Sequence, residues 1–288
     1  MFPQLLEETV RLGVMFDRGL PPERLVPFAR ELDDSSADDL WVVEDLGWAG
    51  GLTSAATALA VTSRLRVGIG ITPAPLRNPV LLAMELGNLA RLHPGRLAAG
   101  IGHGVREWMR QAGAAPASPL ALLEETITCV RALLRGETVT LEGREVRLDG
   151  VSLVHPPATV PPLLAGVKGP KSLALSGRVA DGTILPEGVG PAQLTAMRKT
   201  IGAGDGHEVV MFTFLGVGDG YTVDRGLIEE QAGFLGVAPE DVVMATGTAE
   251  EAAERIKWLA AAGADTVVVR PLDLADPLRH VRALLAAL

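Results

Sequence analysis

Apolar positions along this chain fall into two alternating patterns, namely short runs rich in β-branched residues and longer stretches with helical spacing. The short runs predict eight β-strands, at residues 12–16, 40–43, 65–71, 96–101, 163–166, 183–185, 209–216 and 266–270. The longer stretches predict helices at residues 22–32, 53–62, 79–92, 120–134, 170–179, 191–201, 225–235, 248–262 and 276–287. Strands and helices therefore alternate along most of the chain.

This alternation over 288 residues is typical of an α/β protein with a (β/α)8 TIM barrel, a fold that forms one domain of roughly 250 residues. We therefore expect residues 1–288 to form a single barrel domain. Residues 137–148 interrupt the pattern with two short runs around Glu142-Gly143-Arg144, which predicts a short hairpin excursion before strand 5. A doubly wound open sheet is the alternative, although the first strand–helix unit contains no GxGxxG motif to support it.

Residues 65–105 contain the clearest pair of consecutive strand–helix units. Asn78 fits an N-cap, and Pro79 fits the first position of the helix that follows the third strand. After a turn at residues 93–95, the fourth strand runs into Gly102-His103-Gly104. Small residues thus stand where a ligand would press against the backbone.

Amino-acid composition limits the kinds of molecule that this protein is expected to bind. The formal net charge of −9 disfavours nucleic acid and anionic membrane surfaces, because both require a basic patch on the protein. Hydrophobic residues make up 48% of the chain and the mean hydropathy is +0.27, which indicates that some apolar surface is hidden in an interface. We therefore expect a homo-oligomer, most simply a homodimer.

Several classes of site and location are disfavoured by what the sequence lacks. Cys129 is the single cysteine, so no intrachain disulfide or Cys-based metal site is expected, and its helical setting predicts a place in the core. The five histidines show no HxH or HExxH spacing, and no GxSxG motif indicates a hydrolase. The N-terminus lacks a basic start with an apolar run, and about 18 consecutive apolar residues occur nowhere, which predicts a cytoplasmic protein.

The predicted strands also indicate where a site would lie. In a TIM barrel the reactive groups lie on the loops after the C-terminal ends of the strands. The candidates at those ends are Phe16, Asp17, Glu44, Asp45, residues 70–73, Arg77, residues 102–104, residues 168–171, Glu187 and Arg270. The predicted mouth of the barrel therefore carries charges of both signs.

His103 is the main candidate for proton transfer, because its flanking glycines leave the ring accessible and histidine titrates near neutral pH. A ring held by backbone carbonyls is the alternative. Glu44 and Asp45 point to opposite sides of a strand end, and Glu44 is favoured slightly as the one that faces the cavity. Asp17 fits a turn, or a partner for a nearby arginine, as well as it fits a site.

Residues 165–172, AGVKGPKS, are the best candidate for binding an anion. Glycines let backbone N–H groups approach a ligand, a proline opens the next helix, and two lysines add charge. The residues predicted to hold a phosphate-bearing cofactor tail are Gly166, Val167, Lys168, Gly169 and Lys171. The spacing of a Walker P-loop is absent, and an ordinary strand–helix turn with solvated lysines is the alternative.

Six motifs in sequence order resemble one known family. They are GVMFDRGLPPE at 13–23, LWVVEDL at 40–46, RNP at 77–79, HPGR at 93–96, GIGHG at 100–104 and GPKSLALSGRVADG at 169–182. In order and spacing they resemble the bacterial luciferase-like monooxygenase superfamily, and within it the F420-dependent oxidoreductases that include methylenetetrahydromethanopterin reductase. The resemblance implies an enzyme that transfers a hydride between coenzyme F420 and a small organic substrate.

The resemblance also implies roles for individual residues. His103 or Glu44 would assist proton or hydrogen-bond chemistry, and Asp17 gains its weight as a site residue mainly from the family. A non-prolyl cis peptide is implied at Gly70-Ile71, or at Ile69-Gly70 in the next register, with a bulge that presses on the cofactor ring. Cofactor contacts are implied for Gly70, Ile71, Thr72, Gly102 and Gly104.

Two alternatives keep the same fold. An FMN-dependent luciferase-like monooxygenase would use reduced flavin to activate oxygen. A family member with little or no cofactor would act as a binding protein, which the aromatic content of only 4% makes conceivable.

Overall fold

The computed structural model describes residues 10–288. Its strands are β1 (Arg11–Met15), β2 (Asp39–Val42), β3 (Arg66–Pro73), β4 (Leu97–Gly102), β5 (Val139–Glu142), β6 (Arg147–Val151), β7 (Leu163–Gly166), β8 (Gly182–Leu185), β9 (Glu208–Val217), β10 (Ala245–Gly247) and β11 (Thr266–Pro271). Its helices are α1 (Leu25–Asp33), α2 (Gly51–Val61), α3 (Pro79–Leu92), α4 (Arg106–Gln111), α5 (Pro119–Leu134), α6 (Pro170–Val179), α7 (Pro191–Ile201), α8 (Arg225–Leu235), α9 (Ala249–Ala261) and α10 (Pro277–Ala287).

Parallel strands close into a barrel in the order β9, β11, β1, β2, β3, β4, β7, β8, and β8 pairs with β9 to complete the ring. The predicted (β/α)8 barrel is therefore confirmed, and each predicted strand is one of its eight strands. The doubly wound open sheet is wrong, because the pairing of β8 with β9 leaves the sheet no free edge at that point.

Two smaller elements lie outside the ring of eight. The predicted hairpin is confirmed as the antiparallel pair β5 and β6, although it extends to Val151. Cys129 on α5 packs with Val146 and Leu148 of this hairpin, so its predicted place in the core is also confirmed. β10 was not predicted, because Ala-Thr-Gly is too short for a periodic pattern; it pairs in parallel with the end of β9.

Local capping signals determine where many helices begin. Proline stands in the first turn of α3, α5, α6, α7 and α10, where its missing N–H has no helical partner to lose. Thr248 and Glu251 form a reciprocal capping box at the start of α9. Because such signals are local, the predicted starts at residues 79, 170, 191 and 225 agree with the structure. Within residues 10–288 no helix is both long and apolar enough to cross a bilayer.

The barrel interior is filled around the indole of Trp41, which is fully buried. The indole occupies space that side chains at Gly13 and Gly68 would need, since a Cβ at Gly68 would lie 2.3 Å from Trp41 Cδ2. Its ring meets Phe212 edge-on with centroids 5.5 Å apart. Because these groups fill the interior, any ligand must sit above them at the mouth.

The N-terminal end of the barrel is closed by an ionic network centred on Arg66. Its guanidinium donates to Asp39 (Nη2 to Oδ2, 2.6 Å) and to Glu208 (Nη2 to Oε1, 2.6 Å), and Arg11 also pairs with Asp39. Thr266 donates to Glu208 at 2.8 Å. Burial on its own would raise the pKa of Glu208, but hydrogen bonding and the charge of Arg66 outweigh burial and lower that pKa. Each partner is close to the start of a barrel strand, so the network joins strands that are distant in sequence.

Candidate functional site

The most irregular strand of the barrel lies at the candidate site. β3 pairs with β4 in regular register from Val67 to Ile69, and the register shifts between Ile69 and Thr72. The Gly70-Ile71 peptide bond within this bulge is cis. The cis bond and the bulge that the family resemblance implied are therefore confirmed at Gly70-Ile71, and the alternative register at Ile69-Gly70 is wrong.

The side chain of Ile71 lies against glycine backbones of the neighbouring strands. A Cβ at Gly166 would come within 2.3 Å of Ile71 Cγ2, and a Cβ at Gly102 within 3.0 Å of its Cδ1. Ile71 itself is half-buried, whereas Thr72 is buried with only 1% of its surface exposed. Ile71, Gly102 and Gly166 thus form an apolar floor at the mouth, which we call the Ile71 floor.

His103 stands next to this floor, in the loop after β4. Its Nε2 lies 2.9 Å from the hydroxyl oxygen of Ser172 in the first turn of α6. Its Nδ1 is buried and has no hydrogen-bond partner among residues 10–288. Burial lowers the pKa of His103, partly offset by the carbonyl of Pro119, so the imidazole is neutral near pH 7. A neutral imidazole can accept a proton at one nitrogen.

Glu44 is held in an ion pair. Arg77 donates to both of its oxygens (Nε to Oε1, 3.1 Å; Nη2 to Oε2, 2.8 Å), and Gly51 at the start of α2 donates its N–H to Oε2 at 2.8 Å. Arg77 also pairs with Glu85 of α3. The hydrogen bond to Glu44 raises the pKa of Arg77, although burial opposes it. The structure therefore places Glu44 where it anchors a turn and a helix start.

Asp17 is paired in a similar way. Arg270 donates to Asp17 (Nε to Oδ2, 2.6 Å) and to Glu187 (Nη1 to Oε1, 3.1 Å), so it links the end of β11 to the loops after β1 and β8. The Arg270 guanidinium also lies 5.3 Å from the ring centroid of Phe214. Asp17 is 5% exposed and accepts the N–H of Gly19 at 2.7 Å. This matches the reading of Asp17 as the partner of an arginine.

An aromatic cluster at the mouth was not predicted. The Arg18 guanidinium lies 4.8 Å from the ring centroid of Trp48 and 5.8 Å from that of Trp108, and it pairs with Asp45. The two indole centroids are 6.1 Å apart. Trp48 remains 48% exposed, so the cluster presents an aromatic surface to solvent. Trp48, which lies in the glycine-rich loop after the second strand, is the sequence feature that could have indicated this cluster.

In the predicted anion-binding loop, residues 165–172, one of the two lysines already contacts another part of the protein. Lys168 donates to the carbonyl oxygen of Phe234 near the end of α8, and its ammonium lies 3.9 Å from the Phe234 ring centroid. Burial lowers the pKa of Lys168. Lys171 is exposed, and a Cβ at Gly169 would meet nothing within 4 Å. Both lysines are exposed, but the ammonium of Lys168 is held against Phe234, so the loop offers an open backbone and the ammonium of Lys171 beside the start of α6. Among residues 10–288 no cluster of His, Cys, Asp or Glu is placed to hold a metal ion.

Comparisons with known proteins agree with this architecture. The 5,10-methylenetetrahydromethanopterin reductase of Methanolobus tindarius is 28% identical over 174 residues, a match that covers 60% of this chain and 53% of that protein. The F420-dependent glucose-6-phosphate dehydrogenase of Nakamurella multipartita is 32% identical over 142 residues, covering 47% of this chain and 41% of that protein. The chain thus spans about half the length of these curated relatives.

Solved structures share the fold over almost the whole chain. An F420-dependent secondary alcohol dehydrogenase in complex with an F420-acetone adduct superposes with a TM-score of 0.80 at 19% identity, covering 97% of this chain and 99% of that one. The oxygenating constituent of 3,6-diketocamphane monooxygenase from Pseudomonas putida, in complex with FMN, gives 0.75 at 18% identity and 96% coverage of both. A family model described as luciferase-like monooxygenase matches residues 9–214, which is more than half of the chain. The chain therefore belongs to the luciferase-like monooxygenase family.

Proposed function

We propose that this protein is an oxidoreductase that transfers a hydride between coenzyme F420 and a small organic substrate. The observation that carries the proposal is the Ile71 floor with His103 beside it. A planar ring system packs well on an apolar surface from which side chains are absent, and polar groups at its edge fix its orientation. The relatives that bear F420 in their names support the choice of cofactor.

The loop after β7 fits the phosphate-bearing tail of such a cofactor. The open backbone at Gly169, the start of α6 and the exposed ammonium of Lys171 combine N–H donors with positive charge. Gly166 is part of the Ile71 floor, and Val167 follows it directly in the chain and leads into this loop, so ring and tail would occupy adjacent parts of the mouth. Lys168 would join them after leaving Phe234.

When bound, F420 supplies the ring carbon that gives or receives the hydride. The chain's own residues position that ring and exclude water. His103 is neutral and buried at Nδ1, which suits it to hold or accept a proton during the reaction. The ion pairs of Glu44 with Arg77 and of Asp17 with Arg270 keep the loops around the ring in place.

The proposal is tested by mixing reduced F420 with a panel of aldehydes and ketones, and oxidised F420 with the matching alcohols, while the absorbance of the oxidised cofactor is followed. We expect turnover on at least one pair, and His103→Ala to slow it by about 10²- to 10⁴-fold. His155→Ala is the control, because His155 is exposed in the loop after β6.

Two other results would replace the proposal. Flavin fluorescence on the purified protein, together with oxygen consumption after FMN is added and reduced, would favour the FMN-dependent monooxygenase, whose fold is also shared. Binding of neither cofactor would favour a binding protein. Turnover of F420 at an equal rate in His103→Ala would remove His103 from the reaction.

We further infer that two copies associate through α3. Leu81, Met84 and Leu92 are 46%, 54% and 64% exposed, and helical spacing places them along the solvent side of that helix. We expect Leu81→Glu with Met84→Glu to give a monomer by analytical ultracentrifugation. Trp258→Glu on α9, where the tryptophan is 49% exposed, should leave the dimer intact. A monomeric wild-type protein would contradict the inference.

A further inference from the structure

We propose that Ser172 is a positioning residue for His103: the hydroxyl of Ser172 holds the imidazole in one orientation and keeps the ring proton on Nε2. The inference rests on the proposed function, in which His103 handles a proton, and it deepens that function by naming what prepares the ring.

The contact between the two side chains is specific. Ser172 Oγ lies 2.9 Å from His103 Nε2, and it is the ring's sole side-chain hydrogen-bond partner within residues 10–288. The residues beside His103 are Gly102 and Gly104, which have no side chains to hold the ring. The orientation of the imidazole about its side-chain bonds therefore depends on Ser172 more than on its sequence neighbours.

Ser172 is well placed to impose an orientation. It lies in the first turn of α6, which begins at Pro170, and Leu173 donates its N–H to the carbonyl of Gly169 at 2.8 Å. With its backbone fixed in a helix, the serine retains only the rotation of its own side chain. A short side chain on a rigid element holds a partner more precisely than a long one in a loop.

The surroundings of the ring decide which nitrogen carries the proton. A neutral imidazole has one N–H, and the other nitrogen accepts. Nδ1 is buried and has no hydrogen-bond partner within residues 10–288, so a hydrogen on Nδ1 would have no acceptor. Nε2 lies 2.9 Å from Ser172 Oγ, which can accept a hydrogen bond. The ring proton is therefore best placed on Nε2, which donates to Ser172 Oγ and leaves the lone pair on Nδ1.

The test uses 15N-edited NMR of the cofactor-free protein, with the His103 signals identified by their loss in His103→Ala. Wild type should show a protonated Nε2 and an unprotonated Nδ1. Ser172→Ala should let the proton distribute over both ring nitrogens, and Ser172→Thr, which keeps the hydroxyl, should restore the wild-type pattern. Ser152→Ala, at an exposed serine after β6, is the control.

Hydride transfer measured with the same variants gives a second readout. Loss of one neutral hydrogen bond should lower kcat by about tenfold in Ser172→Ala with KM for the substrate little changed, and Ser172→Thr should recover most of the rate. Identical His103 signals in wild type and Ser172→Ala would overturn the inference. If Ser172→Ala changes the His103 signals but the wild-type protein never turns over F420, the positioning role of Ser172 is supported and the proposed function is refuted.

Discussion

At the scale of single residues, Trp41 shows how glycines shape the barrel. Its indole lies where side chains at Gly13 and Gly68 would otherwise be, so one large ring takes their space beside Phe212 and the other buried side chains of the interior. Closer to the mouth, the side chain of Ile71 likewise lies where side chains at Gly102 and Gly166 would otherwise be. The floor of the candidate site is thus set by which positions carry no side chain.

We expect Gly68→Ala to destabilise the fold by about 1–3 kcal/mol, because the new methyl group would overpack the interior against the Trp41 ring. Gly233→Ala is the matched control: a Cβ there meets nothing within 4 Å, and alanine favours the helix it occupies. Urea unfolding followed by circular dichroism measures both. Equal stabilities for the two variants would show that the interior adapts freely.

The sequence was informative about residues whose signal is local. His103 was found because glycines flank it at a strand end, and the cis bond at Gly70-Ile71 came from the family resemblance. Contacts between side chains that are distant in sequence could not be predicted from such local signals. Ser172 lies 69 positions from His103 and Arg270 lies 253 from Asp17, so no local pattern could join them.

At the scale of elements, α8 stands out as lightly held. Ala232 is its single buried residue, and Phe234 is 47% exposed. Two polar contacts tie the helix to the mouth: Lys168 to the carbonyl of Phe234, and Gln231 to the carbonyl of Glu187. The helix itself was predicted from its spacing. The contact of Lys168 with this helix was not predicted, because the position of Lys168 in the sequence fits an anion-binding loop equally well.

Lys168→Met should therefore loosen α8 without unfolding the barrel. We expect backbone amides of α8 to exchange with deuterium about three- to tenfold faster, because one charge-assisted hydrogen bond is lost at a partly exposed position. Lys199→Met, at an exposed lysine of α7, is the control. Unchanged exchange in Lys168→Met would show that the lysine does not hold the helix.

At the scale of the whole molecule, the Arg66 network joins the beginnings of strands from both halves of the chain. Asp39 is fully buried, and Glu208 is bound by Arg66 from 142 positions away. The closed barrel was predictable because eight strands alternate with helices. The ion pairs of the Arg66 network at the N-terminal end of the barrel were not predictable, because they depend on the register with which the strands pair when the barrel closes.

Arg66→Met should destabilise the protein by about 3–5 kcal/mol, since it removes the cation that Glu208 and the buried Asp39 share and leaves Asp39 paired with Arg11 alone. Arg225→Met is the control, because the Arg225–Glu229 pair lies on the surface with Arg225 90% exposed. Thermal unfolding at neutral pH measures the difference. A loss no larger than that of the control would contradict the structural role of the network.

The same network predicts an acid dependence. The folded pKa of Glu208 is lowered below its ordinary value of 4.5, so its contribution to stability is present above that pH and is lost as the pH falls through the lowered folded value. Wild type should therefore lose stability on acidification below about pH 4.5, and Arg66→Met should lose less over the same range. Parallel pH profiles for the two proteins would count against this assignment.

The central claim is that the mouth of this barrel binds F420. Its most direct test is equilibrium titration of the purified protein with F420 and with FMN at low salt, followed by cofactor fluorescence. We predict saturable binding of one F420 per chain, tighter than that of FMN, and weakened about tenfold in Lys171→Ala but not in Lys199→Ala. Tighter binding of FMN, or no saturable binding of F420, would contradict the claim.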